Sequence, residues 1–198
     1  MELERALSDL EEVRDRLARV QRFEGYSAPA AAVSGLCAFV AGIAQLRIAP
    51  HPGTPDELHA YVAIWISCLA VALALNYGAV AAWVLKRRGS AQSQFRSAAR
   101  SIAPSVALGG ALSIALVAHS AFDLLPGTWF ALYAIGLFAS RGAIPQPALG
   151  VAFAFAALAL LFLITPFAPI ALSWWVMPLG FGFGQIAIGY LIWKDATS

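Results

Sequence analysis

Charged side chains are missing from long stretches of the chain, and the places where they return mark the ends of helices. No Asp, Glu, Lys or Arg occurs in 25–46, 58–85, 101–122 or 124–140, and none occurs from 142 to 193. Apolar runs of about 20 residues match the hydrocarbon thickness of a bilayer at the α-helical rise. The last run is too long for one helix. Pro166 and Pro169 divide it, because proline removes a backbone donor and clashes with the preceding turn. The pattern predicts an all-α, polytopic transmembrane helical bundle of six spans, near 28–48, 60–85, 103–123, 127–144, 147–166 and 170–192. These make one membrane domain over 26–193, between a cytoplasmic segment 1–25 and a cytoplasmic tail 194–198. Ala28-Pro29-Ala30, Ala103-Pro104-Ser105 and Gln146-Pro147-Ala148 each sit where an odd-numbered span opens, as in a repeat of three hairpins.

Ahead of the first span the pattern changes to a heptad. Leu3, Leu10 and Leu17 recur every seven residues, with Ala6, Val13 and Val20 in step three residues later, the a/d seam of a short coiled coil. Residues 1–24 mix five arginines with seven acidic residues and hold no apolar core, so they do not read as a cleaved signal peptide. Three heptads are marginal alone. The amphipathic helix carrying Leu3, Leu10, Val13, Leu17 and Val20 is therefore expected to bury its seam in a homo-oligomer, on a partner protein, on lipid or on the loop 86–102.

Basic residues orient the spans. With the N-terminus in the cytoplasm, twelve of the thirteen Lys and Arg lie on the inner side and only Arg47 lies outside. If the fourth segment failed to cross, Arg141 and Lys194 would move outside as well. Trp129, Trp174 and Trp175 fall near the outer boundary and Trp83, Tyr190 and Trp193 near the inner one, as interfacial aromatics do. The expected location is the cell (inner) membrane, multi-pass, with both termini cytoplasmic.

Composition agrees with this and narrows the function. Hydrophobic residues make up 60% of the chain and charged residues 12%, about half the charged share of soluble domains. Mean hydropathy is +0.73. The net charge of +2 comes from clustered loop residues with no basic stripe, so no nucleic-acid partner is expected. Cys37 and Cys68 both lie inside apolar runs, where no disulfide is expected.

Polar groups inside a membrane are costly, and each asks for a partner. Asn76 in the second span and Gln185 in the sixth fall at similar depth. They suit either an interhelical amide bond or the lining of a polar cargo site. His119 and Asp123, near the outer end of the third span, are four apart and so share a helix face; with His59 they form an outer cluster of candidate metal ligands. Zinc there, or haem between His59 and His119, is the minor alternative to an interfacial histidine bonded to backbone or water. In the last span Gly180, Gly184 and Ala187 share one face, with Gly182 and Gly189 on roughly the other, the pattern of a helix packed closely on both sides. No P-loop, HExxH or GxSxG occurs, and no carboxylate lies deeper in a span than Asp123, so no catalytic residue or cofactor is expected.

Leu10-Glu11-Glu12-Val13-Arg14 leading to Arg22-Phe23, Ser34-Gly35-Leu36, and the stretch from Trp174-Trp175 through Leu179-Gly180-Phe181-Gly182 to Gly189-Tyr190 resemble a family of uncharacterised bacterial six-span integral membrane proteins. That resemblance implies the topology and no activity. The chain is expected to be non-enzymatic: an accessory or regulatory membrane subunit acting through helix–helix and N-terminal contacts. The alternative is a small transporter or channel with a polar site at Asn76 and Gln185.

Overall fold

The computed structural model describes residues 27–86, 91–142, 144–165 and 168–197, and every element in them is helical. The N-terminal seam of Leu3, Leu10, Val13, Leu17 and Val20 lies outside the described residues. Helix α1 spans Ala28–Ile48, α2 Pro55–Lys86, α3 Ala91–Ala118, α4 Leu125–Ala139, α5 Ala148–Ile164, α6 Ala168–Ala171 and α7 Phe183–Thr197, with a π-helical turn at Pro178–Gly182 leading into α7. Among the described residues three helices are long and apolar enough to cross a membrane, Ala28–Ile48, Pro55–Trp83 and Phe122–Ala139; the apolar helices Ala103–Ala118 and Ala148–Ile164 are shorter. Such helices mark a membrane protein.

Local chemistry sets the helix ends. Ser27 Oγ caps α1 by accepting from the Ala30 N–H at 3.3 Å, with Pro29 in the first turn where its missing N–H costs nothing. Thr54 and Glu57 form a capping box on α2: Glu57 Oε2 accepts from the Gly53 and Thr54 N–H groups at 3.1 and 3.0 Å, and the Glu57 N–H donates to Thr54 Oγ1 at 3.4 Å.

Three features depart from the sequence expectation. Helix α3 begins at Ala91 rather than near 103, so Pro104 lies inside a helix and does not open one. The polar residues ahead of the apolar run continue the same helix, and the hairpin-repeat pattern fails there. At its other end α3 stops at Ala118, where Ser120 turns left-handed at φ 57° and the N–H groups of Ser120 and Ala121 donate to the carbonyls of Val117 and Leu116. This is a Schellman ending, and Asp123 falls in a separate 3₁₀ turn, Phe122–Leu124. His119 and Asp123 therefore do not share a helix face. The expected continuous span 170–192 is also broken, into α6, a turn over 172–175, and the helix leading to α7.

Helix α1 buries small and polar groups and exposes large apolar ones. On α1, Ala31, Ser34, Gly35, Ala38, Gly42 and Gln45 face inward, while Val33, Leu36, Val40 and Ile43 face outward. A helix in water would invert this pattern; one in lipid gains dispersion contact from close backbone approach. Helix α1 and the chain leading through α7 meet that way. A Cβ on Gly189 would stand 2.9 Å from the Ala28 carbonyl oxygen, and one on Gly42 would strike Pro178. Helices α4 and α5 pair closely, around a cluster of Phe130, Phe155, Phe162 and Phe181. Helices α2 and α3 touch only sparsely.

Candidate functional site: an intramembrane cavity

The sparse contact between α2 and α3 leaves a cavity of about 430 Å³, walled by α1, α2, α3, α4 and the π turn with α7. It runs from Ser27 and Ile192, at the end where α1 begins, to Trp65, Trp129 and Met177 near the other end. Its walls are mostly apolar. Among the described residues no Asp, Glu, Lys, Arg or His lines it.

Asn76 and Gln185 both line this space. They do not bond to each other. Asn76 Nδ2 donates to Ser34 Oγ at 2.7 Å and to the Ala72 carbonyl at 2.9 Å, tying α2 to α1. A carbonyl can only accept, so the Ala72 contact fixes which side of the amide is nitrogen. Ser34 Oγ in turn donates to the Ala30 carbonyl at 2.8 Å. Gln185 Nε2 donates to the Tyr133 hydroxyl at 2.8 Å, tying α7 to α4. Across the cavity Ser113 Oγ donates to the Gly109 carbonyl at 2.6 Å and accepts from Trp129 Nε1 at 2.8 Å. Ser140, 4% exposed where α4 ends, lines the cavity with a hydroxyl that has no hydrogen-bond partner among the described residues.

At the other end a buried polar knot closes the bundle. Gln45 is fully buried; its Nε2 donates to the Leu172 carbonyl at 2.7 Å and its Oε1 accepts from Trp65 Nε1 at 2.8 Å. One amide thus joins α1, α2 and the turn before α7. Sequence reasoning passed over Gln45, although a glutamine within an apolar run is the signal that singled out Asn76. Tyr61, fully buried, stacks on Trp129 at 6.3 Å between centroids, with a hydroxyl that has no partner among the described residues.

The remaining candidates lie apart from the cavity. His59 and His119 are exposed, and the His59 ring stands edge-on to Phe122 at 6.2 Å. Among the described residues no three His, Cys, Asp or Glu side chains are grouped so as to hold a metal ion, so His59, His119 and Asp123 do not converge on one. In the last helix the two glycine faces have different neighbours. Gly180 meets the Phe130 ring, and a Cβ on Gly184 would stand 2.5 Å from Phe155 Cε2; Ala187 is half-buried. Gly182 faces Phe39 and the Gly35 backbone. Set against family models, curated proteins and solved structures, the chain matches none of them.

Proposed function

We propose that the protein is a six-span carrier of the cell membrane, with both termini cytoplasmic, that holds a small molecule in the cavity between Asn76 and Gln185. The single observation that carries this reading is that these two amides, 109 positions apart in sequence, line one apolar cavity that runs most of the length of the bundle. Its volume falls in the range of about 300–1,000 Å³ typical of small-molecule sites, and a few polar groups in apolar walls are what such sites use to orient a ligand. Among the described residues no Asp, Glu, Lys, Arg or His offers proton coupling inside the cavity, which favours a passive carrier or binding protein over a pump.

A second reading is the accessory membrane subunit. Gly78 on α2 and Gly150 on α5 have nothing within 4 Å of where a Cβ would stand, leaving backbone open to another helix. Purification in mild detergent followed by mass spectrometry separates the two. The carrier reading expects a non-protein compound retained at near-stoichiometric level and lost from an Asn76→Leu/Gln185→Leu variant that still elutes as a folded species. A stoichiometric protein partner, with no retained compound in either form, would replace it with the subunit reading.

A further inference from the structure

We infer that the cavity takes a neutral amphipath from the bilayer itself: a hydrocarbon chain ending in a hydroxyl, entering sideways between α2 and α3 and donating its hydrogen bond to Asn76. This deepens the carrier reading and rests on it.

Charge decides the first part. With no Asp, Glu, Lys, Arg or His among the described lining residues, a charged headgroup would be buried in a low-dielectric interior without a counter-charge. The direction of the hydrogen bonds decides the second. Both bonds that Asn76 makes to described residues leave from Nδ2, and the hydrogens of Ser34 and Ser113 go to the carbonyls of Ala30 and Gly109. What the cavity still offers is two acceptors, Asn76 Oδ1 and Gln185 Oε1, neither of which receives a bond from any described residue; of the two, Asn76 stands on α2, beside the sparse α2–α3 contact. An acceptor left dry in a membrane recovers its desolvation cost only from a donor, and a ligand hydroxyl is the simplest neutral one.

Exposure sets the route. Ile66, Leu69 and Tyr77 of α2 and Val106 and Gly110 of α3 line the cavity and are exposed. A seam both apolar and exposed opens toward lipid tails, so a bilayer-resident chain reaches Asn76 without crossing water. The α1–α7 side is closed by contacting glycine backbones and offers no such route.

The test uses the full chain in liposomes with two diazirine-bearing probes of equal chain length, one a long-chain alcohol and one the matching fatty acid at a pH where it is ionised. The alcohol should crosslink to cavity residues such as Leu73, Val106 and Phe181, with the acid labelling them at least tenfold less. Asn76→Leu should reduce alcohol labelling there by roughly 3- to 10-fold, the value of one hydrogen bond. Gly110→Leu puts a side chain on the cavity wall where nothing stands within 4 Å of a Cβ, so it should reduce labelling while the protein stays folded, which keeps the test valid if Asn76→Leu folds poorly. Equal cavity labelling by the acid overturns the neutral-headgroup inference and leaves the carrier reading standing. In a Cys37→Ala protein the sole remaining thiol, Cys68, lines the cavity. If neither probe labels the cavity and Cys68 also resists N-ethylmaleimide, inference and carrier reading fall together.

Discussion

Gly35 and Gly182 hold two helices backbone to backbone: a Cβ on Gly35 would stand 2.6 Å from the Gly182 carbonyl oxygen and 2.8 Å from Ile186 Cγ1. Gly184 presents the contrasting case, since the three atoms nearest its would-be Cβ all belong to the Phe155 ring. A backbone cannot yield without moving a helix, whereas a ring can turn. Gly35→Ala is therefore expected to destabilise the protein by about 1–3 kcal/mol through overpacking, and Gly184→Ala by less. Gly184→Leu should cost about 1–3 kcal/mol, because Phe155 is itself held at 4.6 Å from Tyr133 and 5.2 Å from Phe181 between ring centroids. Thermal unfolding in detergent, with Gly150→Ala as the unhindered control, reads the order. Equal losses at Gly35 and Gly184 would contradict it.

Gln45 makes a second prediction, because it satisfies two partners at once. Gln45→Leu strands both Trp65 Nε1 and the Leu172 carbonyl in a buried place, at about 1–3 kcal/mol for an unsatisfied group. Trp65→Phe alone leaves Gln45 Oε1 unpaired. In a double-mutant cycle the pair should cost less than the sum of the singles, since the second change removes an already orphaned group. Additive losses would mean that the amide and the indole act independently.

Tyr61 reverses the usual expectation for a buried hydroxyl. Its ring stacks within 5° of parallel on Trp129, but its oxygen has no partner among the described residues. Tyr61→Phe keeps the ring and deletes the unsatisfied group, so stability should hold or rise by about 1 kcal/mol. A loss above that value, measured by chemical or thermal unfolding, would reveal a bonded partner for the oxygen.

Much of the helix layout was legible in the hydropathy of the chain, for reasons the same residues explain. The start of α1 follows from Ser27 capping just ahead of Pro29, and the end of α5 at Ile164 from the prolines that follow. The Schellman ending was hidden because it sits on Ser120, and the left-handed conformation is normally flagged by glycine or asparagine. The π turn at Pro178–Gly182 was likewise hidden: Pro178 announces a disturbance without saying which hydrogen-bond pattern absorbs it. Asn76 and Gln185 stood out as costly polar groups. Whether they bond to each other or face a common void depends on which helices are neighbours, and similar depth along the membrane carries no such information. Their actual partners, Ser34 and Tyr133, are small or half-apolar residues that pass unnoticed in an apolar run.

The number of crossings turns on α4 and α5, and their packing makes the prediction sharp. Gly127, near the start of α4, lies against Leu163, near the end of α5, with a would-be Cβ 2.9 Å from Leu163 Cγ. The two helices therefore form an antiparallel hairpin with 125 and 164 at one end and 139–148 at the other, and both cross the bilayer or neither does. Arg141 lies in that connection, and a lysine or arginine beside a span favours the cytoplasmic side. Reporters fused near Pro52, Pro126 and Thr165 should thus read external, and those after Ala91, Gln146 and Thr197 cytoplasmic. Arg141→Glu should weaken the bias at Gln146 without altering the reporter at Ala91, which has Lys86, Arg87 and Arg88 close by. If Pro126 and Gln146 report the same side, the hairpin does not cross and six spans is wrong, even with every other reporter as expected.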